Sequence, residues 1–245
     1  MTRHERLAAL EQIADEVRAC TGCRLHEGRA RAVPGEGDPD TEVVFVGEGP
    51  GMNEDREGRP FVGRAGGLLL RLLGSIGWQR EDVFITNVVK CRPPENRDPQ
   101  PDEIAACAPF LRRQLEVLDP GVVVTLGRYS MATFMPGARI GQVHGTSQPA
   151  DPGTGARDAL VFAMYHPAAA LRTAAIERES FEDVAQVPAV LVRARRLRHE
   201  AGTVNPAVTT TPTAPAPPAP PAAPPAPPIV PADPAADDAP QLTLF

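Results

Sequence analysis

Four short apolar runs recur along the chain, and each is continuous rather than alternating. They cover residues 42–47, 82–89, 121–127 and 159–167. Continuous β-branched runs are typical of strands buried on both faces of a parallel sheet. Helical patterns occupy residues 65–76, 101–118, 129–134 and 181–199. This alternation predicts a three-layer α/β/α sandwich with a central, mainly parallel four-stranded sheet.

The segment 1–20 has the spacing of an amphipathic helix. Its apolar face consists of Leu7, Leu10, Ile13, Ala14 and Val17. The segment lacks the uninterrupted apolar centre of a signal peptide, and no stretch of the chain is apolar enough to span a membrane. We therefore expect a cytoplasmic protein.

Composition changes near residue 201. From there on the chain has no Lys or Arg and nearly half of its 29 prolines. Such a segment cannot bury enough apolar surface to offset its conformational entropy. We expect a folded domain over 1–200, a disordered Pro/Ala-rich tether over 201–240, and an apolar pentapeptide, QLTLF, over 241–245.

The net charge of −6 does not indicate a nucleic-acid binder that works through bulk charge. The basic residues are clustered, however, for example within 24–31, 56–64 and 90–97. Local clusters can bind phosphate despite an acidic total. Ordinary solvated surface is the alternative reading of each cluster.

The polar motifs follow the apolar runs: GEGPG after the first, TNVVKC in and after the second, and YHP after the fourth. In open α/β sheets, ligands bind outside the carboxyl ends of the strands, so these motifs should form one site. The chain has no G-K-[ST] sequence, which disfavours a Walker-type NTPase.

The four cysteines form two pairs, one of them a C-x2-C motif. They are Cys20, Cys23, Cys91 and Cys107. Four thiolates suit either tetrahedral zinc or a [4Fe–4S] cluster, and spacing alone does not separate the two. Four unrelated buried cysteines are a third reading, and disulfides are disfavoured in the cytoplasm.

Together the motifs resemble the family 4 uracil-DNA glycosylases, the iron–sulfur branch of that superfamily. The matching pieces run through most of residues 15–175: CTGCRL, VGEGPG, EDREGRPFVGRAGGLL, TNVVKCRPPENRDP and YHPAAALR. The resemblance implies removal of uracil from DNA, which starts base-excision repair, and a [4Fe–4S] cluster on the four cysteines.

Two departures from the family pattern stand out. Gly49 replaces the alanine of the usual GEAPG, and Ala170 replaces a frequent leucine, which here follows at Leu171. A related branch that crosslinks to uracil carries a histidine in the loop after the second strand. The loop CRPPENRDPQP has none, so we expect no covalent trapping.

Glycosylase chemistry assigns roles to these motifs. Uracil must be flipped out of the duplex. We expect the Phe61 ring to stack on the flipped base and the Asn87 amide to pair with its edge. The turn at Gly47 and Gly49 should form part of the same binding site. His166 should donate a hydrogen bond to the departing uracil.

The resemblance also marks Glu48 and Glu54 as pocket residues. Either carboxylate can oppose the sugar cation and orient the attacking water, and the alternative role of Glu54 is to crowd the 5-methyl group of thymine. HPAAALR should enter the minor groove: Ala170 or Leu171 fills the vacated space, and Arg172 meets phosphate.

The pentapeptide 241–245 resembles the peptide with which many bacterial repair and replication proteins bind the sliding clamp. Its binding residues would be Gln241, Leu242, Leu244 and Phe245. We expect a monomer, associated with the nucleoid, that binds uracil-containing DNA and the clamp and binds no membrane. The alternatives are a non-catalytic DNA-lesion or clamp-associated binding module, and a different α/β enzyme such as a nucleotide hydrolase.

Overall fold

The structure, a computed structural model, describes residues 1–203 of the 245-residue chain. Its helices are α1 (Arg3–Ala19), α2 (Leu25–Gly28), α3 (Met52–Glu57), α4 (Arg64–Ser75), α5 (Pro101–Leu118), α6 (Arg128–Phe134), α7 (Ile140–Val143), α8 (Pro167–Ala170), α9 (Ala174–Val184) and α10 (Val187–Thr203). Its strands are β1 (Glu36–Gly37), β2 (Val43–Gly47), β3 (Phe84–Asn87), β4 (Val122–Leu126), β5 (Ser147–Pro149) and β6 (Leu160–Met164). Short 3₁₀ turns lie at Arg80–Asp82, Pro94–Asn96 and Pro152–Thr154.

The strands form one six-stranded sheet in the order β1-β3-β2-β4-β6-β5. The four inner strands are parallel and are the four that the apolar runs predict. The predicted strand number was wrong, because β1 and β5 add antiparallel edges. Both are very short, and their sequences, Glu-Gly and Ser-Gln-Pro, carry no apolar signal.

Helices cover both faces of the sheet, which confirms the three-layer architecture. Alternate residues of β2 enter different cores: Val44 packs with the apolar residues of α1 and α5, and Phe45 packs with those of α4, α9 and α10. Every residue of β2 is buried, as the continuous apolar run requires.

Some element boundaries differ from the predicted ones. The segment expected to be a single helix over 181–199 is divided between α9 and α10. Leu10, Ile13 and Val17 of α1 are buried as predicted, whereas Leu7 is 44% exposed. None of the helices within residues 1–203 is long and apolar enough to cross a membrane.

The predicted domain boundary lies close to the end of the described region. Helix α10 continues to Thr203, slightly beyond the predicted end of the domain. The rest of the predicted tether, and the whole pentapeptide 241–245, lie outside the described residues.

Candidate active site

A cavity of about 600 Å³ opens at the carboxyl ends of the parallel strands. Most of the site residues predicted from the motifs line this cavity. They come from the turn after β2, the end of β3 and the segment after β6. Those lining it are Glu48, Gly49, Glu54, Phe61, Asn87, His166 and Arg172. Gly47, Ala170 and Leu171 are not among the lining residues.

Asn87 ends β3 and is one of the residues that line this cavity. The residue is almost completely buried, and its Oδ1 has no hydrogen-bond partner within the described residues. A buried acceptor without a partner is costly, so an N–H group of a ligand would complete it.

Gly47, opposite Asn87 in the β2–β3 register, makes room for two neighbouring side chains. A Cβ at this position would lie 2.3 Å from Asn87 Oδ1 and 2.7 Å from the Phe61 ring. Any side chain here would therefore displace the amide, the ring or both.

Phe61 holds its ring at the cavity through an unusual backbone conformation. Its φ of 52° lies in the left-handed region, which costs a bulky residue on the order of 1–3 kcal/mol. Its ring is buried, and its centroid lies 5.8 Å from that of the His166 ring. The conformation also depends on Gly66, where a Cβ would lie 1.9 Å from the Phe61 carbonyl oxygen.

His166 caps α8 and presents one defined tautomer. The backbone N–H of Ala168 donates to its Nδ1 at 3.1 Å, so in the neutral ring the proton is on Nε2. Burial lowers the pKa of His166 to about 4; the charge of Glu54 opposes the shift and that of Arg172 adds to it. The ring is therefore a neutral hydrogen-bond donor at physiological pH.

The two candidate carboxylates lie in different environments. Glu54 Oε1 accepts hydrogen bonds from the backbone N–H groups of Val62 and Gly63, and Oε2 accepts one from Gly51. Glu54 thus ties together the loop that carries Phe61.

Glu48, by contrast, accepts no backbone hydrogen bond on its carboxylate within the described residues. Burial raises its pKa, the negative charge of Asp98 adds to the shift, and Arg128 opposes it. Glu48 is therefore the half-buried carboxylate that remains available to a ligand.

The segment after His166 divides into buried and exposed residues. Ala170 is 1% exposed and packs in the core, whereas Leu171 is 37% exposed. Arg172 is exposed and lines the cavity. Of the two residues predicted to enter the minor groove, only Leu171 is at the surface.

The lining residues that sequence reasoning missed include Asp98, Arg128 and Tyr165. Asp98 and Arg128 form an ion pair at the cavity mouth. The Tyr165 ring centroid lies 4.5 Å from that of His144, whose Nδ1 is 3.0 Å from the buried Asp183 carboxylate. Asp98 and Tyr165 lie inside the matching motifs, but nothing in the sequence marks Arg128.

The four cysteines line a second, smaller cavity between α1, α5 and the segment after β3. Three of the sulfurs accept hydrogen bonds: Cys20 from the Gly22 N–H, Cys91 from Arg29 and Cys107 from the Lys90 N–H. Within residues 1–203, no three Cys, His, Asp or Glu side chains are arranged to hold a single metal ion.

Lys90 lies beside these sulfurs and is 1% exposed. Its Nζ donates to Thr86 Oγ1 at 2.6 Å, Gln114 Oε1 at 2.7 Å and the Asn87 carbonyl at 2.8 Å, and it has no carboxylate partner within the described residues. A buried cation needs a compensating charge, so this environment fits an anionic metal–thiolate group.

Comparison with known proteins gives consistent matches. The family model for the uracil DNA glycosylase superfamily matches residues 34–186. A type-4 uracil-DNA glycosylase of Saccharolobus solfataricus is 50% identical over 188 residues, which cover 74% of this chain and 86% of the relative. The type-4 enzyme of Thermotoga maritima is 46% identical over 177 residues, 71% of this chain and 91% of the relative. A type-5 uracil-DNA glycosylase of Thermus thermophilus is 36% identical over 121 residues, 43% of this chain and 55% of the relative.

Proposed function

The chain belongs to the uracil DNA glycosylase superfamily, and we propose that it hydrolyses the N-glycosidic bond of uracil in DNA and leaves an abasic site. It is a DNA-repair hydrolase. The observation that carries the proposal is the buried Asn87 Oδ1, which has no hydrogen-bond partner in the described part of the chain, beside the Phe61 ring and a neutral His166. A non-catalytic binding module would need a recognition amide but no neutral donor and no free carboxylate.

Recognition begins when the flipped base enters the cavity, since its glycosidic bond is inaccessible inside the duplex. The Phe61 ring stacks on the base. Asn87 Oδ1 accepts from uracil N3–H, while the amide N–H donates to O4. Cytosine has an acceptor at N3 and a donor at position 4, so it would meet the amide with the wrong pattern.

Bond cleavage builds negative charge on the uracil and positive charge on the sugar. The His166 Nε2–H donates to the uracil oxygen as that charge develops, and being neutral it needs no proton from solvent. The Glu48 carboxylate opposes the sugar cation and orients the attacking water. Glu54 acts indirectly, because its hydrogen bonds to three backbone N–H groups hold the Phe61 loop.

Glycine at position 49 supplies no carboxylate. A Cβ at Gly49 would lie 2.7 Å from Val89 Cγ2, so a side chain there requires Val89 to move. Water activation therefore depends on Glu48.

DNA is held on the cavity rim. Leu171 is the exposed apolar residue that fills the space left by the flipped nucleotide. Arg172 binds a neighbouring phosphate, and Ala170 supports the segment from the core.

The second cavity holds a [4Fe–4S] cluster on Cys20, Cys23, Cys91 and Cys107. All four cysteines line this one cavity, as shared ligation of a single cluster would require. The donors from Gly22, Arg29 and Lys90 would stabilise the thiolates.

The remaining parts of the proposal rest on sequence. Gln241, Leu242, Leu244 and Phe245 dock into the sliding clamp, joined to the catalytic domain by the predicted tether. The enzyme acts as a cytoplasmic monomer at the nucleoid.

Single-turnover excision on a uracil-containing oligonucleotide tests the function. The wild-type chain should release uracil. His166→Ala and Asn87→Ala should each lose about 10²–10³ in rate while keeping the wild-type melting temperature, as expected for loss of one preorganised donor or recognition group. No protein–DNA crosslink should persist on denaturing gels. A wild-type chain that binds uracil DNA without cleaving it would instead identify a binding module.

A further inference from the structure

The strained backbone of Phe61 is held from outside the cavity by an arginine that no motif marks. Arg80 lies in the 3₁₀ turn before β3, and its side chain is only 13% exposed. Its Nη1 donates to the Phe61 carbonyl at 3.1 Å, and its Nη2 donates to the Pro60 carbonyl. Arg80 thus binds two successive carbonyls of the turn in which Phe61 has its left-handed φ.

Arg80 is in turn fixed by Glu36 of the edge strand β1. Its Nε donates to Glu36 Oε1 at 2.7 Å. Glu36 is itself located by the antiparallel pairing of β1 with β3, where it lies opposite Ile85. Contacts therefore run continuously from the edge of the sheet through Glu36 and Arg80 to the backbone of Phe61.

The Glu36 carboxylate is ionised and accepts hydrogen bonds from both Arg59 and Arg80. Burial works to raise its pKa, but hydrogen bonds from Arg59 and Arg80 outweigh burial and hold the pKa below its usual range. Arg59 donates to both carboxylate oxygens, at 2.8 and 2.9 Å, and its side chain is 55% exposed. Neither Phe61 nor Pro60 accepts a hydrogen bond from Arg59 in the described structure.

We propose that Arg80, held by Glu36, is a positioning residue for base recognition: it fixes the Phe61 turn so that the ring meets the flipped uracil. Arg80 touches neither the base nor the DNA, and acts only through Phe61. The inference rests on the proposed uracil excision and names residues outside the cavity that this activity needs.

The test is a double-mutant cycle in single-turnover uracil excision. Arg80→Met should lower the rate at saturating enzyme by about 10²-fold, the cost of misplacing a substrate-positioning group. The dissociation constant for uncleaved DNA should stay within about 3-fold, because the phosphate contacts are elsewhere. In a Phe61→Ala background, the same Arg80→Met change should cost less than about 3-fold, since the residue on which it acts is gone.

The matched control is Arg59→Met, which removes an arginine from the same carboxylate without touching the Phe61 turn. It should excise uracil within about 3-fold of wild type. Arg80→Lys keeps the charge but cannot bind both carbonyls, so it should fall between Arg80→Met and wild type.

Three kinetic outcomes overturn the proposal: a wild-type rate for Arg80→Met, an equal loss in both Phe61 backgrounds, or an equal loss for Arg59→Met. Failure of both Arg80 variants to fold would also overturn it, because Arg80 would then serve stability alone. A wild-type chain without uracil excision is a different result, since it rejects the function itself.

Discussion

Asn87 shows how much of the chemistry depends on one side chain in a restricted space. Its amide is buried, its Oδ1 has no partner among residues 1–203, and glycine at position 47 leaves room for it. Asn87 was predicted as the recognition residue from the family resemblance, because an amide at the end of a strand can donate to and accept from the uracil edge. The sequence could not predict the crowding, which depends on the β2–β3 register and on the turn that brings in Phe61.

Glu48 and Glu54 show the limit of residue-level reasoning. Both lie in the motif after the first run, and nothing in their chemistry separates them. The difference is local geometry: the loop folds back so that three backbone N–H groups converge on Glu54. A folded loop is needed to see which carboxylate remains free.

The raised pKa of Glu48 gives a prediction on pH. Glu48 must be ionised to oppose the sugar cation, so the single-turnover rate should fall as pH falls through a pKa above the usual glutamate range. His166, with a pKa of about 4, remains neutral over that range. Glu48→Gln should be slower by about 10²-fold or more and should lack this acidic limb.

Asp98→Asn is the control for this profile. It removes a negative charge that raises the pKa of Glu48, so the limb should move to lower pH. An unchanged acidic limb in Glu48→Gln would assign the titration to another group.

At the level of elements, the apolar pattern predicted the four buried strands, whose carboxyl ends carry the candidate site, and missed the two short edge strands. β2, β3, β4 and β6 are buried on both faces, so burial leaves a continuous apolar signal. β1 is held by backbone pairing with β3 and carries Glu36, the partner of Arg80. Glu36 is half-buried and Gly37 is exposed, so β1 has no apolar run that would predict it.

The packing of α1 against α5 gives a prediction about the metal. The C-x2-C motif follows α1, Cys107 lies within α5, and Cys91 follows β3, so a cluster would join three elements. Purified protein should be brown, absorb broadly in the blue–violet and contain about four irons per chain. One zinc and no iron would contradict this assignment.

Ligand replacement tests the structural role of the cluster. Cys107→Ser should lose iron and lower the melting temperature, because metal binding contributes directly to folding free energy. Ser130→Ala is a matched control for removing a buried side-chain donor: its hydroxyl donates to the Gly127 carbonyl, away from the cysteines. This variant should keep its iron.

At the level of the whole molecule, the chain combines a compact catalytic domain with a segment of quite different composition. The domain alone accounts for excision, since every residue proposed to act on uracil lies within 47–172. In the proposed mechanism, the Pro/Ala-rich segment supplies no group to that chemistry. If it is extended as its composition predicts, roughly 35–40 residues at about 3.1 Å each could reach on the order of 100 Å.

Such a reach would let the peptide 241–245 bind the clamp while the domain searches nearby DNA. Leu244 and Phe245 would fill an apolar pocket, Leu242 would contact its edge, and Gln241 would hydrogen-bond at the rim. Because a short peptide must become ordered on binding, the affinity for purified clamp should be about micromolar or weaker. Tethering then raises the effective concentration of the enzyme at clamp-loaded DNA without any new contact in the cavity.

Deletion of residues 241–245 separates this model from one in which the apolar peptide packs on the catalytic domain. The deletion should abolish clamp binding in a pull-down or by calorimetry and leave excision on short oligonucleotides and the melting temperature unchanged. Leu244→Ala with Phe245→Ala should reproduce the loss, whereas Thr243→Ser, at the position between the proposed contacts, should not. Clamp binding that survives the deletion would reject the docking model, and a lower melting temperature would show that the peptide stabilises the domain instead.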